Sequence, residues 1–198
     1  MGEGTMARQG ILFVISGASG VGKGTINRIL LSELEGIKLS ISMTTRPMRE
    51  GEVEGQDYFY VSAPEFAARV ENNEFLEYAC VYSHMYGTPR ECVMANLRQG
   101  LDVLLEIDVQ GALKVKEEIP EGVFIFIQPP SMEDLVNRIY SRGKDSPQSI
   151  EARLAACEQE MNMVKHYNYV VVNDKLEDAV DKVRAIIVAE RCRVQHYY

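Results

Sequence analysis

The pattern of apolar and polar positions divides the chain into alternating short apolar runs and helix-period segments. Ile11-Leu-Phe-Val-Ile15, Val103-Leu-Leu-Glu-Ile107, Val123-Phe-Ile-Phe-Ile127 and Tyr169-Val-Val-Val172 are short, nearly continuous apolar runs. Such runs read as strands buried on both faces. Helical periodicity is expected from about Gly24 to Leu34, and from Leu176 to Arg193 with Asp174 as a cap. Ser131 followed by Asp134 predicts a capped helix running toward Tyr140. Pro147, at an N1 position, opens a longer helix to about Lys165. Strands alternating with helices predict an α/β fold with a mostly parallel sheet. The stretch from Met43 to Pro89 differs: Asp57–Val61 and Phe75–Tyr82 are aromatic and partly alternating, with a short helix (Pro64–Asn72) between them. They predict an inserted lobe of antiparallel strands.

Composition narrows the function classes. The 198 residues carry 21 Lys and Arg against 29 Asp and Glu, a net charge of −8. That balance argues against a protein that coats nucleic acid. It leaves room for a phosphorylated ligand, which needs only local cations. No apolar run approaches the roughly 20 residues of a membrane span. Residues 1–10 are polar and Gly-rich and read as a disordered extension without a signal peptide. Cys80, Cys92, Cys157 and Cys192 form no metal-ligand spacing, so reduced thiols in the cytoplasm are expected.

The strongest local signal is Gly17-Ala18-Ser19-Gly20-Val21-Gly22-Lys23-Gly24-Thr25, between a predicted strand and a predicted helix. That context is what a P-loop requires: backbone N–H groups wrap a phosphate chain, the helix N-terminus adds positive potential, and Lys23 reaches the β- and γ-phosphates. The strict pattern places Ser or Thr directly after the lysine as a Mg²⁺ ligand. Here Gly24 stands there, and Thr25 follows as the candidate metal ligand, directly or through water. Glu106 and Asp108, two apart at the end of an apolar strand, are read as sharing one side of it. One of them is expected to contact metal-bound water and the other the ligand.

A second phosphate site is expected at Ser42-Met-Thr-Thr-Arg46-Pro-Met-Arg49, because guanidinium forks grip phosphate oxygens bidentately. Tyr58 and Tyr86 offer hydroxyls to the same group. Their competing assignment is core aromatics with wet tips, and for Glu77 it is an exposed strand acid.

In order along the chain, the P-loop, SMTTRPMREGE, DYFYV, NNEFLEY, YGTP, LLEIDVQGA, FIQPPS, SRGKDS and VVVND resemble the guanylate kinase family from about Ile11 to Arg191. The one noted departure is Ala18, where that family usually has Pro. The resemblance implies a three-layer P-loop nucleoside monophosphate kinase fold over 11–198, with a core (11–42, 90–137 and 154–198), a GMP-binding lobe (43–89) and a short helical lid (138–153). It implies ATP, with Mg²⁺, as donor to GMP. Arg46, Arg49, Tyr58 and Tyr86 would hold the GMP phosphate, and Ser42, Glu77, Thr88 and Asp108 the guanine, with Glu106 beside them. Lys23, Arg46 and the lid arginines Arg138, Arg142 and Arg153 would be catalytic, and Asn173 would lie near the adenine. The runners-up are a kinase for another monophosphate and a related protein-binding module with an impaired nucleotide site. A homo-oligomer is left open.

Overall fold

The computed structural model describes residues 8–81, 83–141 and 157–196, with 138–141 described by backbone only. A five-stranded parallel sheet forms the centre. Its strands are β1 (Leu12–Gly17), β2 (Ile37–Leu39), β7 (Asp102–Glu106), β8 (Val123–Gln128) and β9 (Tyr169–Val172), in the order β2-β7-β1-β8-β9. β1 is buried along its whole length. Its alternate side chains serve two different layers, which explains the unbroken apolar run. Phe13 and Ile15 face a core shared with α1 (Lys23–Glu33) and α7 (Leu176–Arg191), through Ile26, Leu30, Val183 and Ile187. Leu12 and Val14 face a second core with α3 (Arg90–Arg98) and α4 (Val109–Glu118), through Val93, Ala112 and Val115. Helices on both faces give three layers. The chain order reverses around β1, so the C-terminal ends of β1, β7 and β8 open a crevice of the kind that receives ligands in such sheets.

One buried carboxylate anchors the sheet at its other end. Asp102, fully buried at the start of β7, accepts the Ile11 N–H at 2.9 Å. Its carboxylate also pairs with Arg8 at 2.8 Å and Arg191 at 2.7 Å, tying the N-terminal segment and α7 to the same strand.

The inserted region is a mixed sheet. It contains β3 (Met43–Thr44), β4 (Phe59–Tyr60), β5 (Phe75–Val81) and β6 (His84–Pro89), in the order β4-β3-β6-β5, and α2 (Ala63–Glu71) packs against it. Phe66 of α2 stacks on Phe75 of β5 at 4.5 Å. Gly87 is required beneath them, since a Cβ there would lie 2.8 Å from the Phe75 ring.

Three expectations need correction. The run Asp57–Val61 yields only a two-residue strand, and it pairs parallel with β3, not antiparallel with β5. Asp57 instead accepts the Val53 N–H at 2.8 Å and closes a turn. Asp174 does not cap α7. Lys175 holds that position without a side-chain bond, and Glu177 and Asp178 supply the favourable charge in the first turn. Asp108 lies just past the strand as expected, but β7 ends at Glu106 and Asp108 is the N-cap of α4, so strand alternation does not set its side. The helix from Ser131 forms as expected: the hydroxyl accepts the Asp134 N–H at 3.0 Å, at the head of α5 (Met132–Ser141). The Pro147 start of the next helix lies outside the described residues; a helical stretch, α6, is seen over 157–162.

Candidate active site

The Gly-rich loop joins β1 to α1. Gly17 has φ +141°, and a Cβ there would lie 2.1 Å from the Ile127 carbonyl oxygen, so only glycine lets the chain leave the sheet at this point. Gly22 is the left-handed N-cap of α1, and its carbonyl accepts the N–H groups of Thr25 and Ile26. Asn173 braces the loop from beneath. It is buried, and its amide donates to the Val21 carbonyl at 2.8 Å. A Cβ on Gly22 would come within 2.7 Å of that amide. Ala18 is also buried, with its carbonyl accepting the Lys23 ammonium at 3.2 Å.

Lys23 turns its ammonium back over the loop to Gly17 O at 2.5 Å. Burial pushes its pKa below the usual lysine range, opposed by the charges of Glu106, Glu160 and Asp108. Glu106 is oriented by Asn27, whose amide donates to it at 2.8 Å. The other Glu106 oxygen stands 3.4 Å from where a Cβ on Gly24 would be. The glycine that departs from the strict loop pattern is therefore the residue this carboxylate overhangs. Thr25 is exposed in the first turn of α1, in a groove of about 420 Å³ that also touches Gly20, Lys23, Arg28 and Glu106.

Across the crevice lies a cleft of about 710 Å³, lined by Lys23, Ser42, Tyr58, Glu77, Tyr86, Glu106, Asp108 and Glu160. Six of the nine acceptor-side candidates thus meet Lys23 in one space, while Arg46, Arg49 and Thr88 lie outside its lining. Glu77 is 8% exposed, which removes the exposed-acid assignment. The β5–β6 register sets it opposite Thr88, whose hydroxyl donates to it at 2.6 Å. Burial raises the Glu77 pKa, and the Thr88 bond works against that shift. Asp108 arrives from the other wall, where it accepts the Gly111 N–H at 2.7 Å as the cap of α4.

Gly111 is a residue that sequence reasoning missed. A Cβ there would lie 2.9 Å from a Glu77 oxygen and 3.3 Å from an Asp108 oxygen. The missing side chain lets the two carboxylates converge. Asp108 also has a separable structural duty. Asp108→Ala is expected to cost about 1 kcal/mol of stability, and Asp108→Asn only a few tenths, because asparagine caps equally well. Urea denaturation of both variants would test this.

Tyr58 and Tyr86 make an edge contact at 5.8 Å, and the Arg46 guanidinium lies 5.3 Å from the Tyr58 ring. Arg46 is buried, and its guanidinium is held by Glu52 and the Pro47 carbonyl. Arg49 is exposed at the rim, and Thr88 sits behind Glu77. Arg138 lies on α5, while Arg142 and Arg153 fall outside the described residues. Sequence reasoning also missed Glu52, which grips Arg46, and Glu160 on α6, whose charge bears on Lys23. Glu160 carries no local signal; only the fold brings it in. Among the described residues, no group of three His, Cys, Asp or Glu is arranged to hold a metal ion, and no helix is long and apolar enough to cross a membrane.

The comparisons with known proteins agree with this arrangement. The family model for guanylate kinase matches residues 9–190. A guanylate kinase of Syntrophomonas wolfei is 59% identical over 191 residues, covering 96% of this chain and 98% of that protein. One from Caldanaerobacter subterraneus is 57% identical over 96% of this chain and 92% of its own length. The crystal structure of guanylate kinase from Anaplasma phagocytophilum superposes with a TM-score of 0.77 at 36% identity, covering 96% of this chain and 90% of that one. A Gly-rich strand-to-helix loop facing a cleft lined by carboxylates, together with likeness over nearly the whole length, leads to one conclusion: the chain belongs to the guanylate kinase family of phosphotransferases.

Proposed function

We propose that the protein transfers the γ-phosphoryl group of ATP to GMP, giving ADP and GDP, in cytoplasmic purine nucleotide metabolism. The observation that carries this reading is the pair of converging carboxylates, Glu77 and Asp108, in the cleft opposite Lys23. Guanine offers its N1–H and 2-amino group to such acceptors. Adenine has a bare lone pair at N1, so the same carboxylates would repel it and be left unpaired. Sites built on hydrogen bonds of this kind discriminate by about 10⁴ or more. Ser42 completes the polar lining, with Thr88 holding Glu77 from behind, and dGMP is expected to be accepted.

Transfer proceeds in line. A GMP phosphate oxygen attacks Pγ while the bond from Pγ to the bridging oxygen breaks, and ADP carries that oxygen away. No general base is needed, because the second pKa of a phosphate monoester is near 6. The chain's task is placement and charge neutralisation. The loop N–H groups and Lys23 hold the donor, with Asn173 keeping the loop in shape. Arg46, Arg49, Tyr58 and Tyr86 hold the acceptor phosphate, and Arg138, Arg142 and Arg153 are assigned to the transferring group.

The donor set also fits a magnesium ion brought in on ATP. Magnesium retains waters and needs few protein ligands, and Glu106 and Thr25 both border the phosphate groove. Once bound, the ion would neutralise charge on the β- and γ-phosphates.

The test is ADP formation from ATP and Mg²⁺ with GMP, dGMP, AMP, CMP, UMP and dTMP supplied separately. Activity confined to GMP and dGMP is the expected result. Activity with another monophosphate would overturn the guanine assignment while leaving the phosphate loop intact.

A further inference from the structure

We propose that Glu52 is the positioning residue that aims both arginines of the acceptor-phosphate site; this rests on the GMP reading above. Its carboxylate bonds Arg46 bidentately, with NH1 at 3.0 Å and NH2 at 2.7 Å. It also accepts the backbone N–H of Arg49 at 2.8 Å and the Tyr60 hydroxyl at 2.6 Å. Four donors therefore converge on one side chain. The Glu52 N–H returns to the Arg49 carbonyl at 3.1 Å, closing a tight turn in which Gly51 takes φ +86°. The side chain of one arginine and the backbone of the other are thus referenced to the same group.

A competitor that occupies the phosphate site would look different. Arginine has five N–H donors in a fixed fork. Glu52 takes one from each terminal nitrogen, and the Pro47 carbonyl takes the second NH1 hydrogen at 2.8 Å. The Nε hydrogen and the second NH2 hydrogen are not used by these bonds. The guanidinium also packs beside Tyr58 and Tyr60. Tyr58 and Tyr86 both line the cleft. Glu52 therefore fixes one side of the fork from behind and leaves donors for a ligand. The Arg46 bonds, followed by Tyr60 and the Arg49 N–H, hold the Glu52 carboxyl down at about 2, so it stays ionised throughout the working range.

The experiment is steady-state kinetics of the full chain and of Glu52→Gln and Tyr60→Phe, varying GMP and ATP in turn. Each Glu52 contact to a cation is charge-assisted, so Glu52→Gln is expected to raise KM for GMP about 10–100-fold. KM for ATP is expected to hold within about twofold. Tyr60→Phe leaves the ion pair and removes one bond to it, so its KM for GMP should rise less, by about 3–10-fold. Three results would overturn the proposal: an unchanged KM for GMP, a lower one (which would make Glu52 a competitor), or an equal rise in both KM values. Failure of the wild-type chain to use GMP would instead sink the reading on which this rests.

Discussion

Replacing Lys23 by alanine is expected to lower turnover about 10²–10³-fold, the cost of removing one preorganised donor from a developing charge. The argument starts from the position of the ammonium. It is half-buried and spans the Gly17 and Ala18 carbonyls, so its direction is fixed by the loop before any ligand arrives. Burial makes the charge expensive, and Glu106, Glu160 and Asp108 hold it in place. A bound phosphate chain would stabilise the ammonium further. A point charge set this way costs little to reorganise during transfer. Lys23→Ala removes no core packing, so thermal unfolding should change little while turnover collapses. Near-wild-type turnover at saturating ATP would remove Lys23 from the mechanism.

How much of this was legible in the sequence depended on whether the signal was local. β1 and β8 were legible because both their faces are buried, which writes an unbroken apolar run. The Ser131 cap was legible because its bond spans three residues. Asp108 was placed just past the strand, but its role as a helix cap was not read, because alternation of two acids around Ile107 looks the same for a strand end and for a helix cap. Only the bond to Gly111 separates them. Asn173 was placed in the site, but its bond to Val21 crosses 152 positions of sequence, and no spacing rule shows that it braces the loop. Glu52 and Glu160 look like any charged surface residues. Their importance comes from what the fold puts opposite them, and in the case of Glu52 from two residues of its own turn.

Glu77→Gln is expected to separate stability from function in opposite directions. Two charge-assisted bonds to guanine are worth about 3–6 kcal/mol together, so kcat/KM for GMP should fall roughly 10²–10⁴-fold. The amide can still take the Thr88 hydroxyl on its oxygen, but it then turns its NH₂ toward the donors of the base. The stability effect follows from the raised pKa, whose main cause is burial. A carboxyl with a raised folded pKa favours the protonated form. Its contribution is fully present below the ordinary carboxylate range and is lost as pH rises through the elevated value. Above the elevated value the wild-type chain therefore carries a buried ionised acid that glutamine does not. Glu77→Gln should melt higher than wild type at pH 7, with the difference closing as pH falls below the ordinary carboxylate range. The same titration should raise the wild-type KM for GMP as Glu77 takes up its proton in mild acid, and that rise should be absent in Glu77→Gln. Thermal melts and GMP kinetics across pH, run on both chains, read the two effects separately. A variant that is both less stable at pH 7 and fully active on GMP would show that Glu77 serves the β5–β6 pairing and not the base.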